Sequence, residues 1–322
     1  MRYLIRRVVH ILFLLAGVSL LSFLLTQLAP GNFLDEMKLN PRIEPRTIEA
    51  LRARYGFDQP LPLRYLWWLK SVIKGDFGFS FAYNSAVAPL LGPRIRNTLI
   101  LAVTATSLAW ALALPVGIWV ASRRGSWPDR ILGVGTSTLL AIPDLTLSLG
   151  LLLLAVRTGL FPAGGMFSPD FADFTLWGKA RDLAAHLFLP SLALVFSTLP
   201  MLVRHVRASV VEVLDAPFTR TALAHGIPRR RLLWRHVLPA AANPLISLFG
   251  LSVGTLLSAS LLIEVVMSWP GLGPLVLEAI LARDLYLVIG AVMVSTVLLL
   301  SGNLISDLLL YATDPRIRKE RQ

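Results

Sequence analysis

One stretch of this 322-residue sequence reads FTRTALAHGIPRRRLLWRHVLPAA, from Phe218 to Ala241. It places five arginines, two histidines and two prolines between two strongly apolar segments. Such a composition suits neither a packed protein core nor a surface that faces lipid. The role of the stretch therefore depends on the segments that surround it.

The overall composition favours a membrane protein. Hydrophobic residues make up 55% of the chain and the mean hydropathy is +0.66, above the roughly 45–50% apolar content of soluble domains. The formal net charge of +12 is confined to segments between long apolar runs, so we interpret it as a determinant of topology and expect no nucleic-acid partner. The absence of cysteine excludes disulfides and thiolate metal sites.

The apolar runs predict an all-α integral membrane protein with six spans, because a helix needs about 20 mostly apolar residues to cross a bilayer. No lysine or arginine falls inside any of the six. The first run is longer than the apolar core of a cleaved signal, so we expect it to remain as a membrane anchor. The predicted spans are Val8–Leu28, Thr98–Ala121, Ile131–Val156, Leu187–Val203, Pro244–Met267 and Leu285–Tyr311.

Lysine and arginine in the short loops predict the orientation. The N-terminus, the 122–130 loop, the 204–243 loop and the C-terminal tail together hold 17 of these residues, whereas the 157–186 and 268–284 loops hold 3 and 1. Both termini and the 204–243 loop are therefore predicted to be cytoplasmic.

The spans and loops predict four segments of the chain. They are 1–28 for the cytoplasmic N-terminus and first span, 29–97 for a long external segment, 98–311 for a five-helix membrane core that includes the 204–243 loop, and 312–322 for a cytoplasmic tail.

The external segment contains apolar residues in helical spacing, at Ile48, Leu51 and Tyr55, followed by glycine and proline breaks and an aromatic cluster. This pattern predicts one or two short helices that lie on the membrane surface.

Motifs for catalysis and metal binding are absent from the sequence. Its only Gly-Lys pair, Gly178-Lys179, lacks the other glycine and the hydroxyl residue of a phosphate-binding loop, so we expect no ATP hydrolysis by this chain. His225 and His236 lack a histidine or carboxylate partner at metal-ligand spacing, so no metal site is predicted.

Three acidic residues lie within the predicted spans, where ionisable side chains are functional candidates. Glu264 and Asp307 lie near the ends of their spans, which favours capping or packing. Asp144 follows Pro143 in the middle of the third span, and two interpretations stay open for it: a broken helix that lines a polar cavity, or a proline kink with Asp144 hydrogen-bonded to a neighbouring helix. Asp144 and Glu264 are our candidates for a substrate pathway.

The opening stretch is predicted to form a short helix that has Phe218 and Ala222 on one face. Gly226 should end this helix with left-handed backbone, and Arg229 should begin a second helical piece that returns to the membrane at Pro239. One interpretation is a helix that docks in a groove of a soluble partner. The other is a polybasic loop that fixes topology and contacts lipid phosphates.

The stretch resembles the cytoplasmic signature of permease subunits of ABC importers, which reads Glu-Ala-Ala, three residues, Gly, nine residues, Ile-x-Leu-Pro. Four residues match this spacing: Ala222, Gly226, Leu238 and Pro239. Three depart from it, because Arg220, Thr221 and His236 replace the Glu, the first Ala and the Ile. The Arg-Thr-Ala run before the glycine is similar to the peptide/nickel branch of the family, although His225 stands where that branch has Lys and Pro217 where it usually has Asp.

The resemblance to this branch extends over nearly the whole chain, and its elements together resemble the "B" permease subunit of dipeptide and oligopeptide importers. The further matching elements are Gly56 with Asp58-Gln59-Pro60-Leu61, Gly75-Asp76-Phe77-Gly78 with Ser80, Glu264, Trp269-Pro270-Gly271-Leu272-Gly273, Arg283-Asp284 and Asp314-Pro315-Arg316.

The resemblance implies an inner-membrane complex of two homologous permeases and two cytoplasmic ABC ATPases, supplied by an external solute-binding protein and surrounded by membrane lipid. This chain would bind no cofactor, and ATP and Mg would be bound by the ATPases. The resemblance implies transport of small peptides, with nickel, glutathione or another small polar solute as alternatives. The ATPase-coupling residues would be Phe218, Thr219, Arg220, Thr221, Ala222, Ala224, His225 and Gly226.

Two other classes of protein would need residues of a different kind within the spans. An ion-coupled secondary transporter needs ion sites at broken helices, for which Asp144 is the one candidate. An intramembrane enzyme needs facing catalytic groups or metal ligands within the spans, and the sequence shows no such set and no catalytic residue.

Overall fold

The computed structural model describes residues 2–28, 46, 49 and 58–313. This part of the chain is helical apart from short turns and one antiparallel hairpin, in which Phe79 pairs with Ala86 and Ser80 with Ser85. In chain order the elements are α1 Arg2–Leu28, α2 Leu61–Ile73, β1 Phe79–Ser80, β2 Ser85–Ala86, α3 Val87–Ser122, α4 Trp127–Leu140, α5 Asp144–Thr158, a 3-10 turn Pro169–Asp173, α6 Leu176–Asp215, α7 Pro217–Ala224, α8 Arg229–Leu232, a π turn Leu233–Val237, α9 Leu238–Val266, α10 Leu272–Leu281 and α11 Leu285–Thr313.

Within the described residues, five helices are long and apolar enough to cross a membrane: α1, α3, α6, the continuous helix Arg229–Val266 and α11. A sixth span results if α4 and α5, which are bent by 96° at the break between them, are counted as one. The third predicted span is therefore two helices. Its break has a local cause, because Pro143 lacks an amide proton and disfavours helical backbone at Ile142.

Several boundaries differ from the prediction. Helix α6 has 40 residues, far more than the predicted Leu187–Val203, and it accommodates both Pro190 and Pro200 in its interior. Helix α3 begins at Val87, eleven residues before the predicted span at Thr98. The predicted 268–284 loop contains the apolar helix α10. The expected surface helix around Ile48, Leu51 and Tyr55 lies outside the described residues.

The chain forms two compact units, of which one comprises Met1–Thr98 and Pro270–Leu298. In it, α1 packs against α2 through aromatic rings. The Phe23 ring lies 5.5 Å from that of Tyr65 and 6.2 Å from that of Trp68, and the Ser19 and Tyr65 hydroxyls form a hydrogen bond of 2.8 Å. Phe23 and Trp68 are buried.

The other unit comprises Leu99–Trp269 and Leu299–Gln322. Helices α9 and α11 approach closely in it, since a Cβ added to Gly250 would lie 2.0 Å from Ser306 Cβ and one added to Gly302 would lie 2.5 Å from Val253 Cγ1. Small residues at such crossings are typical of helix packing in membranes. The buried core of α3, α6, the π turn and α9 includes Ala109, Ala113, Leu202, Val206, Val210, Val237 and Ala241.

Candidate functional site

Helix α7, the short helix at the start of the quoted stretch, follows α6 almost without a linker. Helix α6 ends at Asp215, Ala216 has extended backbone, and Pro217 opens α7 at a position where its missing amide proton is not needed. The 40-residue helix α6 thus leads directly into α7. Only one extended residue, Ala216, therefore separates the two helices.

One side of α7 is fixed to the rest of its unit. Thr219 is fully buried, and its hydroxyl donates a 2.8 Å hydrogen bond to the Val213 carbonyl near the end of α6. Ala222 packs against the buried core of the unit. The other side of the helix is exposed, and together with the residue that follows the helix it presents Phe218, Arg220, Thr221, Leu223, Ala224 and His225.

Gly226 ends α7 as predicted, with a φ of +79°. Its amide donates to the Leu223 carbonyl at 3.0 Å, and the Ile227 amide donates to the Ala222 carbonyl at 3.2 Å. A Cβ added to Gly226 would meet no atom within 4 Å, so the left-handed backbone alone explains the glycine.

The second helical piece also begins where the sequence predicts it. Pro228 precedes α8, and α8 continues through the π turn into α9. Leu232 is buried, whereas the three arginines Arg229, Arg230 and Arg231 are exposed. The quoted stretch therefore forms an exposed helix, a tight turn and a cationic start of a membrane helix.

Two ion pairs attach the 122–130 region to α6. The Arg207 guanidinium donates to both carboxylate oxygens of Asp129, at 2.6 Å and 2.8 Å. Arg124 pairs with Asp215 at 2.5 Å, one residue before the extended Ala216. The conformation of α6 next to α7 is thus linked to α4.

Asp144 combines features of both interpretations left open by the sequence. It is the first residue of α5, immediately after the helix break, and it accepts a 2.6 Å hydrogen bond from the Ser197 hydroxyl of α6. Its side chain is half-buried. Glu264, in contrast, is completely buried in the last turn of α9, which agrees with the packing role favoured above.

In the unit that contains the hairpin, Asp284 joins two motifs that are 204 residues apart. Its carboxylate is fully buried and accepts hydrogen bonds from the Ser80 hydroxyl at 2.7 Å and the Ala82 amide at 3.0 Å. The Tyr83 hydroxyl donates to Glu278 nearby, and burial together with this bond raises the pKa of Tyr83 above its ordinary value.

Comparison with known proteins gives the family. The family described as "Binding-protein-dependent transport system inner membrane component" matches residues 113–319. The corresponding N-terminal family matches residues 1–114. This chain is a binding-protein-dependent inner-membrane transport component.

Full-length relatives agree with the assignment of the chain as a permease. The oligopeptide transport system permease protein AppB of Bacillus subtilis is 34% identical, with 98% of each chain covered. The dipeptide transport system permease protein DppB of Escherichia coli K12 is 33% identical over 100% of both chains. The oligopeptide transport system permease protein OppB of Mycobacterium bovis is 32% identical, with 98% of this chain and 99% of that protein covered.

The fold of the permease is also found in a solved structure of the MetNI methionine ABC transporter in an inward-facing conformation. The TM-score is 0.57 at 17% sequence identity, covering 70% of this chain and 96% of that chain. At this level of identity the comparison shows a shared fold.

The predicted coupling residues of this permease do not all occupy the same surface. Thr219 and Ala222 face inward and position α7, whereas the other predicted helical residues face outward. The Asp129–Arg207 pair and the contacts of Asp284 were not predicted from the sequence. Asp129 could have been singled out as the acidic residue between Arg124 and Arg130 in a short loop. Asp284 could have been singled out because it follows Arg283 in a motif shared with the family.

Proposed function

We propose that this permease translocates small peptides that a solute-binding protein delivers, and that α7 couples it to ABC ATPase subunits. The peptide substrate is supported by the names of the relatives, which are oligopeptide and dipeptide permeases. The geometry of α7 carries the coupling proposal: a short helix, anchored by Thr219 and ended by Gly226, exposes Phe218 and Arg220 directly after α6. Such a helix suits a groove on a soluble partner.

The proposed assembly contains a second homologous permease and two ATPases, which bind ATP and Mg and perform the hydrolysis. Both termini and the 204–243 loop face the cytoplasm in this proposal, as the charge distribution favours. Residues 29–97 face the exterior, between the first span in 1–28 and the core in 98–311, and the tail 312–322 is cytoplasmic. Helix α2 and the hairpin would then form part of the surface that receives the binding protein.

Asp144 is the residue that we assign to the substrate pathway. It lies at a broken helix, is half-buried, and is held by Ser197, so its carboxylate is positioned without being sealed in the core. The complete burial of Glu264 supports a structural role for that residue instead.

The proposed function is tested by reconstituting the permease with its partner subunits and binding protein. ATP depletion should abolish uptake, whereas collapse of ion gradients should leave it intact. The opposite result would favour an ion-coupled transporter. Mass spectrometry of the ligand retained by the binding protein should identify peptides, and nickel, glutathione or another small solute would refute the peptide assignment alone.

A further inference from the structure

An apolar groove runs along the unit that contains α7. Helices α3, α9 and α11 form its walls, together with the π turn, and its volume is about 490 Å³, within the roughly 300–1,000 Å³ of ligand pockets. Its lining is almost entirely apolar and includes Trp110, Trp234, Leu238, Ala242, Phe249 and Leu309. The indole nitrogen of Trp110 donates to the Ser252 hydroxyl at 2.9 Å, which leaves the apolar face of this ring for the groove.

Three exposed arginines, Arg229 to Arg231, precede Trp234, the first residue of this helix that lines the groove. The helix Arg229–Val266 is continuous, and Trp234, Leu238, Ala242 and Phe249 follow its groove-facing side. Arg231 and Arg230 stand three and four residues before Trp234, and residues at that spacing share a helix face. Both arginines are exposed, and among the described residues no ion pair involves either of them.

The shape and chemistry of the groove favour a lipid over another protein helix. Helices in membranes associate through small residues that allow close approach, and the α9–α11 crossing uses such residues. The groove instead has bulky walls, with two tryptophans and a phenylalanine around one alanine. Trp234 is 60% exposed next to the arginines, which is where a tryptophan marks the membrane–water interface.

We propose that the groove binds one acyl chain of an anionic phospholipid whose phosphate contacts Arg230 and Arg231. Basic residues between membrane helices at the membrane surface are suited to anionic headgroups. The apolar chain would extend from Trp234 past Ala242 toward Phe249. The assignment of this lipid to the cytoplasmic leaflet rests on the orientation under Proposed function. The binding itself does not.

Native mass spectrometry of the full-length permease, released from vesicles of equal phosphatidylglycerol and phosphatidylcholine, tests the proposal without measuring transport. The wild type should retain one phosphatidylglycerol per chain. Ala242→Trp, which fills the groove, and Arg230→Gln/Arg231→Gln, which removes the charges, should each lose it. Ala240→Trp is the matched control, because Ala240 is exposed and lies about 200° around the same helix from Ala242. Arg123→Gln/Arg130→Gln is the control for charge.

Equal retention of phosphatidylcholine, or no retained lipid in the wild type, would overturn the proposal. The proposal would also be overturned if the Ala242→Trp variant kept its lipid but no longer bound the second permease. That result would mean that the second permease, and not a lipid, occupies the groove. If Ala242→Trp fails to insert, the double glutamine variant decides, because its changes lie outside the apolar run. A failed transport assay would refute the proposed function and leave the lipid measurement unaffected.

Discussion

Six described glycines have positive φ, and two of them, Gly78 and Gly226, need glycine for different reasons. At Gly78, φ is +102° and an added Cβ would lie 2.9 Å from the Tyr286 ring, so conformation and space both require glycine. At Gly226, φ is +79° and the surrounding space is open. Substitution of Gly226 therefore tests the backbone conformation at the end of α7 separately from packing.

Gly226→Val should reduce transport while leaving the amount of permease in the membrane unchanged. A β-branched residue at positive φ is strained by about 1–2 kcal/mol, enough to lower the population of the correct turn by roughly 5–30-fold. Gly226→Asn should retain transport, because asparagine tolerates left-handed backbone. Uptake, ATPase co-purification and membrane level should be measured together. Normal transport by the valine variant combined with failure of Arg229→Gln/Arg230→Gln/Arg231→Gln would contradict the docking interpretation of α7.

The link between α4 and α6 gives a prediction for coupling between helices. Asp129→Asn should lower the amount of solute transported per ATP hydrolysed, because it removes the charge that holds Arg207 through two hydrogen bonds. Asp215→Asn is the matched control, since both side chains of the Arg124–Asp215 pair are more than half exposed, at 57% and 55%. Such pairs contribute about 0–1 kcal/mol. Equal effects of the two variants would contradict the prediction.

The Asp284 cluster gives a prediction for the hairpin β1–β2. Asp284→Ala should expose the hairpin to proteolysis at Phe79 and Phe81, because the Ser80 hydroxyl and the Ala82 amide lose their acceptor. The loss should cost about 1–3 kcal/mol for the buried Ser80 hydroxyl. Glu278→Ala removes the exposed carboxylate that accepts a hydrogen bond from the Tyr83 hydroxyl, and it should increase the cleavage rate less. Cleavage rates that match for the two variants would refute a special role for Asp284.

The elements that the sequence predicted are those determined by nearby residues. Gly226 ends α7 with left-handed backbone, as expected from the conformational freedom of glycine. For the third span, the proline left a broken helix and a kinked helix open, and the structure has a break of 96° there. The inward orientation of Thr219 was missed, because the sequence grouped Phe218 with Ala222 on one face of α7. In the structure Ala222 packs inward, whereas Phe218 is half exposed and Thr219 is buried. The Ser80–Asp284 contact was also missed, since it joins residues 204 positions apart.

The orientation of the permease in the membrane can be measured because the chain has no cysteine, so each introduced cysteine is the only one. A membrane-impermeant maleimide should label Ala82→Cys on intact cells and Gln322→Cys only in inverted vesicles. This follows from the 17 lysines and arginines in the segments assigned to the cytoplasm. Labelling of Gln322→Cys from outside the cell would show that the orientation is reversed.

Cross-linking from Phe218→Cys can detect contact between α7 and the ATPases. Phe218 is 50% exposed on α7, so a cysteine there can carry a short photoactivatable cross-linker. In the complete assembly, irradiation should join the permease to an ATPase subunit, and Ala240→Cys on α9 should give no such product. The absence of an ATPase adduct from Phe218→Cys, or an equal yield from Ala240→Cys, would contradict the account.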